Sequence, residues 1–304
     1  MKQIKIKFVD GVESYGIFIK KALESLYQVK ESDRPDFLFY GDDGARTHYN
    51  YRDCVKIYVP IEDCYPNFGY CHYTMGYLLL DNPRSLRVPF YVLDSKASDI
   101  VKNSNEIDEL VRIKTNFCAF LVSNGNPRRT RKRIQFFEKL NRYKQIDSGG
   151  KFKNNLGKII PPLETINFLR SYKFFITFEN HEAPYYASEK IINAMKARAT
   201  AIYWGDPKIG EDFNSRSFVN LYDYASEEEA IEHIIELDQN EALYREKLAE
   251  PYFHNNVPNK YYDEARLKAF LTRVVEDPRP RLDRFHVRHL LYEYSKKIRP
   301  YLNR

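Results

Sequence analysis

Residues 172–224 read YKFFITFENHEAPYYASEKIINAMKARATAIYWGDPKIGEDFNSRSFVNLYDY, and this stretch decides the fold. Two short apolar runs, residues 174–178 and 199–204, are rich in β-branched and aromatic residues and predict buried parallel strands. Between them, residues 188–196 have helical spacing, with Ser188 placed as the N-cap. The stretch therefore predicts a strand–loop–helix–strand unit of a parallel α/β sheet.

This unit also predicts where a ligand binds. In such units ligands lie beyond the carboxyl ends of the strands, beside the N-terminus of the following helix. The residues at that place are Glu179, Asn180, Tyr186, Glu189 and Lys190. A nucleotide-binding site is therefore the first hypothesis.

The same block resembles the donor-binding signature of the glycosyltransferase family ten α-1,3/4-fucosyltransferases. It departs from that signature at His181, where the family usually has Ser or Thr. Weaker resemblance extends upstream through residues 117–157 and 58–91. The resemblance implies the GT-B architecture, an α/β fold of two facing Rossmann-like domains with parallel sheets. The matching residues are Phe178-Glu179-Asn180, Tyr186, Ser188-Glu189-Lys190, Ile202-Tyr203-Trp204-Gly205, Asp212-Phe213-Asn214 and Ser217-Phe218-Val219-Asn220.

The rest of the chain continues the alternation of strands and helices. Predicted strands at residues 3–9, 36–40, 54–59 and 117–122 favour parallel sheets. We expect an acceptor-binding domain at 1–114, a GDP-sugar donor-binding domain at 115–276, and a basic helix or tail at 277–304. In the tail, Leu282, Phe285, His289 and Tyr292 have helical spacing, which predicts either a helix packed on the domains or one lying on anionic lipid.

Composition narrows the function classes. The 304 residues carry a formal net charge of +6, which favours anionic ligands or an anionic membrane surface. We expect no nucleic-acid partner, since no nucleic-acid-binding motif accompanies the charge. The four cysteines lack metal-binding spacing, and we interpret them as thiols of a reducing compartment. Without a signal-peptide pattern or a span of ~20 apolar residues, the sequence predicts a cytoplasmic protein, either free or peripheral at the inner face of the membrane.

Sugar transfer from a nucleotide diphosphate requires cations for the departing charge. The sequence contains no D-x-D metal motif, so we expect no required cofactor, with Mn²⁺ or Mg²⁺ at most stimulating the reaction. Lys190, in the first turn of a predicted helix, is suited to hold phosphate oxygens. The resemblance implies the same task for Arg133, with Arg131 and Arg129 as alternatives.

The resemblance also implies roles for three other residues of the donor site. It assigns Glu189 to the ribose diol, because a carboxylate offers two acceptors to two hydroxyl donors. It assigns Asn180 and Tyr186 to the diphosphate and the fucose. No metal ligand is expected among these residues.

The reaction also requires a base for the acceptor hydroxyl. In the family a glutamate precedes a Pro-Asn-Phe segment, and counting back from Pro66-Asn67-Phe68 places Glu62 on it, with Asp63 as the alternative. Burial at a strand end can raise the pKa of such a carboxylate toward the operating pH.

The resemblance implies an inverting hexosyltransferase that moves L-fucose from GDP-fucose to a GlcNAc-type hydroxyl, in α-1,3 linkage. The acceptor is expected to be an oligosaccharide or glycolipid, in protein glycosylation or lipopolysaccharide biosynthesis. Two alternatives remain open. One is a transferase that uses another GDP-sugar, and the other is a non-catalytic nucleotide- or glycan-binding protein on the same scaffold.

Overall fold

The computed structural model describes residues 1–43, 45–60, 62–123, 127–277, 279–283, 287, 289–292 and 294–295. Its strands are β1 Gln3–Val9, β2 Gln28–Glu31, β3 Phe37–Tyr40, β4 Val55–Tyr58, β5 Tyr73–Gly76, β6 Ser85–Arg87, β7 Asn116–Phe120, β8 Asp147–Ser148, β9 Tyr172–Ile176, β10 Thr200–Tyr203 and β11 Val219–Asn220. Its helices are α1 Glu13–Glu24, α2 Phe90–Asp94, α3 Ile107–Ile113, α4 Pro127–Leu140, α5 Thr165–Leu169, α6 Glu189–Lys196, α7 Ile209–Asp212, α8 Glu227–Gln239, α9 Glu241–Ala249 and α10 Glu264–Glu276.

The strands form two sheets whose neighbouring strands all run parallel. The first has the order β2-β1-β3-β4-β5-β6, and the second has the order β11-β10-β9-β7-β8. Among the parallel neighbours, α1 connects β1 to β2, α4 connects β7 to β8, α6 connects β9 to β10, and α7 connects β10 to β11. The parallel α/β class predicted from the sequence is confirmed.

Two compact units divide the chain between Leu93 and Asp94. Residues 263–304, as far as they are described, belong with residues 1–93 in the first unit, and residues 94–262 form the second. This division differs from the predicted boundaries of 1–114, 115–276 and 277–304.

The apolar faces of two helices explain that difference. Leu110 of α3 packs in the second core with Phe117, so the second unit begins before the predicted residue 115. Leu267 and Leu271 of α10 pack in the first core with Ile57, so this helix leaves the predicted donor domain. Each helix buries its apolar face against one sheet, and that burial decides which unit it joins.

The described residues of the C-terminal segment pack on the first unit. Residues 289–292 are helical, and Tyr292 and His289 contact residues that follow β4. Of the predicted tail pattern, Phe285 lies outside the described residues, as do Arg284, Arg288, Lys296, Lys297, Arg299 and Arg304. No helix in the described part of the chain has both the length and the apolar character needed to cross a membrane.

Candidate functional site

A buried carboxylate organises the predicted ligand site of the second unit. Glu179 follows β9, is fully buried, and anchors its backbone by donating from its N–H to the carbonyl oxygen of Trp204 at 2.8 Å. Its carboxylate accepts hydrogen bonds from the Ser188 backbone N–H at 2.8 Å and from the Ser188 hydroxyl at 2.7 Å. The strand end and the helix N-terminus are thereby held together.

Gly205 leaves the space that this carboxylate occupies. Its φ is +145°, a conformation that side chains rarely adopt, and an added Cβ would stand 2.4 Å from the Glu179 Cβ. Only glycine fits there without displacing Glu179. The space that Glu179 needs therefore explains why the Ile-Tyr-Trp-Gly run at the end of β10 ends in glycine.

Lys190 lies in the first turn of α6, as the sequence predicted. The Ser188 hydroxyl caps this helix by accepting from the Lys190 backbone N–H. The Lys190 Nζ donates to the Ser188 Oγ at 2.8 Å and lies 3.2 Å from the Glu179 Oε2 and 3.4 Å from the Glu189 Oε1. Burial lowers the pKa of Lys190, but the charges of Glu179 and Glu189 outweigh it, so the net shift is upward and the ammonium stays charged.

Arg133 reaches the same place from α4. It is buried on the face of α4 that also carries Phe136, whose ring packs against Phe178 with centroids 4.9 Å apart. The Arg133 Nε donates to the Glu179 carbonyl oxygen at 3.1 Å, and its Nη2 donates to the Asn180 Oδ1 at 2.6 Å. Burial lowers the pKa of Arg133, but a guanidinium remains charged near neutral pH.

The two alternatives to Arg133 are placed differently. Arg131 is exposed on the opposite side of α4, and the side chain of Arg129 lies outside the described residues. The structure thus brings Arg133, Asn180 and Lys190 together around Glu179.

The remaining predicted donor residues flank this cluster. Tyr186 is buried, and its ring lies against the His181 ring with centroids 4.7 Å apart. Glu189 is the first residue of α6, and its side chain is half exposed. Asn180 is exposed apart from its bond to Arg133. The organising role of Glu179 was not predicted from the sequence. The Phe-Glu-Asn run together with the later Gly205 indicates it, because only glycine leaves room for the Glu179 side chain.

The predicted base lies in the first unit, after β4. Glu62 is exposed, and its backbone N–H donates to the Asp42 Oδ2 at 3.3 Å. The neighbouring Asp63 is buried, with a relative exposure of 1%, and its Oδ1 accepts from the hydroxyls of Tyr77, at 2.5 Å, and Tyr292. Burial raises the pKa of Tyr77, so its hydroxyl remains a donor at every physiological pH. Of the two candidates, Glu62 is the one exposed to solvent.

A groove of about 700 Å³ opens on the first unit at the carboxyl end of β1. The first turns of α1 and the chain after β3 form its walls. Asp10 lies at its base and accepts hydrogen bonds from the backbone N–H groups of Thr47 at 2.7 Å and His48 at 3.0 Å. The lining includes Lys7, Phe8, Glu13, Asp43 and Tyr51.

In the part of the chain that the structure describes, no group of three or more His, Cys, Asp or Glu side chains is arranged to hold a metal ion. The four cysteines carry free thiols.

Two family models match this chain. Residues 111–254 match the model described as glycosyltransferase family 10 (fucosyltransferase) C-term. Residues 5–94 match the model of the α-(1,3)-fucosyltransferase FucT N-terminal domain. The first match lies within the second unit, and the second match lies within the first unit apart from its last residue, Asp94.

Curated relatives carry fucosyltransferase names. The α-(1,3)-fucosyltransferase FucT of Helicobacter pylori is 29% identical over 274 residues, which cover 77% of this chain and 55% of that protein. The 3-galactosyl-N-acetylglucosaminide 4-α-L-fucosyltransferase of Bos taurus is 28% identical over 179 residues, which cover 58% of this chain and 46% of that protein. This chain thus spans about half of the length of these relatives.

Solved structures with the same fold are similar over nearly the whole chain. A crystal structure of α1,3-fucosyltransferase with GDP-fucose matches with a TM-score of 0.74 and 25% identity, covering 93% of this chain and 94% of that one. A crystal structure of α1,3-fucosyltransferase with GDP matches with a TM-score of 0.74 and 26% identity, covering 91% and 92%. The predicted GT-B fold class is confirmed by this likeness.

Proposed function

This chain belongs to glycosyltransferase family 10, and we propose that it transfers L-fucose from GDP-fucose to a GlcNAc-type hydroxyl of a glycan in α-1,3 linkage. The observation that carries the proposal is the cluster of Arg133, Asn180 and Lys190 around Glu179. Two cations and a helix N-terminus converge there at the carboxyl end of a parallel strand. Such a place suits an anionic diphosphate.

In this proposal each residue of the donor site has its own role. Lys190 and Arg133 oppose the charge on the diphosphate, both when GDP-fucose is bound and when GDP departs. Glu189, at the start of α6, is placed to accept hydrogen bonds from the two ribose hydroxyls. Asn180 uses its Oδ1 for Arg133, which leaves its amide N–H groups for phosphate oxygens or the fucose. Tyr186 then forms an apolar wall beside the sugar.

The chemistry is a single displacement with inversion at the anomeric carbon. Glu62 takes the proton of the acceptor hydroxyl while that oxygen attacks C1 of fucose. The bond from C1 to the GDP oxygen breaks, and GDP leaves with the electron pair. The exposure of Glu62 supports this role over Asp63, whose carboxylate is buried beneath two tyrosine hydroxyls. No covalent glycosyl-enzyme is needed.

We propose the groove of the first unit as the place where the acceptor glycan lies. It opens at the carboxyl ends of parallel strands, where ligands of such sheets bind. Phe8 and Tyr51 offer aromatic faces to a sugar ring, and Glu13 and Asp43 offer acceptors to its hydroxyls. These groups fit an uncharged oligosaccharide or the glycan of a glycolipid.

The C-terminal segment favours a cytoplasmic protein that touches the inner face of the membrane. Val287, Leu290 and Leu291 are all more than half exposed, and they lie within five residues of one another. Exposed apolar groups in a basic segment suit an anionic lipid surface. Co-sedimentation with phosphatidylglycerol vesicles, but not with phosphatidylcholine vesicles, supports this contact if Leu290→Glu weakens it. Equal recovery with both lipids contradicts it.

The activity is tested by incubating the protein with GDP-fucose and N-acetyllactosamine and identifying the product by mass and linkage analysis. Fucosylated product in α-1,3 linkage is the expected result. GDP-mannose in a parallel reaction tests the alternative donor. Absence of both transfer and slow donor hydrolysis, in protein that still binds GDP, supports the non-catalytic alternative and overturns the proposal.

A further inference from the structure

The loop that carries Glu62 is held from beneath by Asp63. The described residues between β4 and β5 form turns and irregular structure, so pairing within a sheet does not fix the position of that part of the loop. Asp63 is its buried anchor, and one of the two hydroxyls that it accepts from comes from Tyr77 at the end of β5. The other comes from Tyr292, which is 229 residues away in the sequence.

The C-terminal segment contacts this loop at further points. The His289 Nδ1 lies 2.9 Å from the carbonyl oxygen of Tyr65, and the Tyr292 ring lies 5.2 Å from the Tyr65 ring. Upstream, the Arg84 Nη2 donates to both carboxylate oxygens of Asp283 at 2.9 Å. The described part of the segment thus contacts the first unit at two separate places.

These contacts act on the residue next to Glu62. Because Asp63 follows Glu62 directly, the position of the Asp63 side chain limits where the Glu62 backbone lies. The Glu62 carboxylate, which the proposed reaction needs in a fixed place, is exposed to solvent. A displacement of about 1 Å at a catalytic group can cost on the order of 10²-fold in rate.

We propose that the C-terminal segment positions the catalytic loop, and that Tyr292 is a positioning residue for the transfer reaction. This inference rests on the proposed function, in which Glu62 is the base. In this proposal Tyr292 acts through Asp63. Its hydroxyl and that of Tyr77 together hold Asp63, and Asp63 holds the loop.

The test compares Tyr292→Phe with Tyr294→Phe, a matched change at an exposed position of the same segment. We expect Tyr292→Phe to lower kcat by roughly 5- to 10-fold, with the KM for GDP-fucose changed less than 2-fold, because the donor site lies in the other unit. Tyr294→Phe should retain the kcat of the unmodified protein. A kcat unchanged in Tyr292→Phe overturns the proposal.

A second comparison separates positioning from general destabilisation. In a Glu62→Gln background the base is already absent, so Tyr292→Phe should cause no further loss of the residual transfer rate. The same 5- to 10-fold loss in both backgrounds indicates a structural effect elsewhere and overturns the proposal. If Glu62→Gln itself retains full activity, the assignment of the base has failed, which is a separate outcome.

Hydrogen exchange tests the contact without any activity. Backbone amides of residues 62–68 should exchange faster in Tyr292→Phe than in Tyr294→Phe, while those of β9 and α6 stay unchanged. Equal exchange of the loop in the two variants means that Tyr292 does not hold it, and this overturns the inference whatever reaction the protein catalyses.

Discussion

A fully buried carboxylate is costly unless hydrogen bonds and cations compensate its charge. Glu179 receives that compensation from Ser188 and from Lys190. Its carboxylate is therefore committed to structure, and it orients the Lys190 ammonium. In the proposed function, the Lys190 side chain both pairs with Glu179 and binds the diphosphate.

Lys190→Ala should weaken GDP binding and slow transfer together. A charge-assisted hydrogen bond contributes roughly 1.5–3 kcal/mol, so we expect an affinity about 10- to 100-fold lower. Calorimetric titration with GDP measures the first effect and the transfer rate measures the second. Lys196→Ala, at the other end of the same helix, is the matched control. Unchanged GDP affinity in Lys190→Ala would place the diphosphate elsewhere.

Glu62→Gln should lower the transfer rate by about 10²–10⁴-fold, which is the usual contribution of general base catalysis. GDP affinity should change little, because Glu62 lies in the first unit and the donor cluster in the second. Single-turnover rates and GDP titration measure the two quantities. Glu24→Gln, an exposed change on α1, provides the control. Near-normal turnover of Glu62→Gln would transfer the role to Asp63.

A buried lysine from another part of the chain, Lys102, contacts the C-terminal end of helix α9. The Lys102 Nζ donates to the carbonyl oxygens of Leu248 at 2.8 Å and Glu250 at 2.6 Å, and it lies over the Tyr252 ring. A cation at a helix C-terminus is favourable, but burial lowers the pKa of Lys102 to about 7. The protonation of this group is therefore linked to folding.

The sign of that linkage gives a prediction for pH. Between pH 7 and pH 10.5 the unfolded chain binds the proton more tightly than the folded one, so the folded state gains stability as pH rises. The gain relative to Lys102→Met has a slope of at most about 1.4 kcal/mol per pH unit. Urea unfolding of both proteins at pH 7 and pH 9 measures the difference. A difference that is the same at both values contradicts the linkage.

How far the sequence predicts these elements depends on whether their contacts are local. Ser188 and Lys190 lie two residues apart, so capping chemistry was sufficient to place Lys190 in the first turn of α6. Arg133 was indicated by the family resemblance, and it lies on the buried face of α4 with Phe136. The contact of Tyr292 with Asp63 leaves no local pattern, because it joins positions 229 residues apart.

The division of the chain into two units is also set by contacts that local sequence patterns do not predict. The helical pattern of α10 predicts an apolar face, but it does not say which sheet that face covers. Its Leu271 packs in the core of the first unit, so a segment far along the sequence completes a domain that began at residue 1. The predicted boundaries at 114 and 276 assumed that each domain is one continuous stretch of the chain. The burial of α3 in the second unit and of α10 in the first places the boundaries elsewhere.

For the whole molecule, we predict a transfer reaction that does not require a metal ion. Transfer should persist in excess EDTA, because Lys190, Arg133 and the α6 N-terminus already oppose the charge of the diphosphate. The full sequence also lacks the D-x-D motif that holds a metal in other glycosyltransferases. Mn²⁺ or Mg²⁺ should at most stimulate, for example by speeding GDP release.

The measurement compares one protein preparation with and without chelator at fixed ionic strength, since salt alone screens the attraction between the cations and the diphosphate. Lys190→Ala sharpens the comparison. If the lysine supplies charge that a metal supplies in other enzymes, added Mg²⁺ should restore part of the lost rate in this variant and little in the unmodified protein. Complete loss of activity in EDTA that Mn²⁺ restores would instead show that carboxylates hold a required metal, with Asp42 and Asp43 as the first positions to substitute.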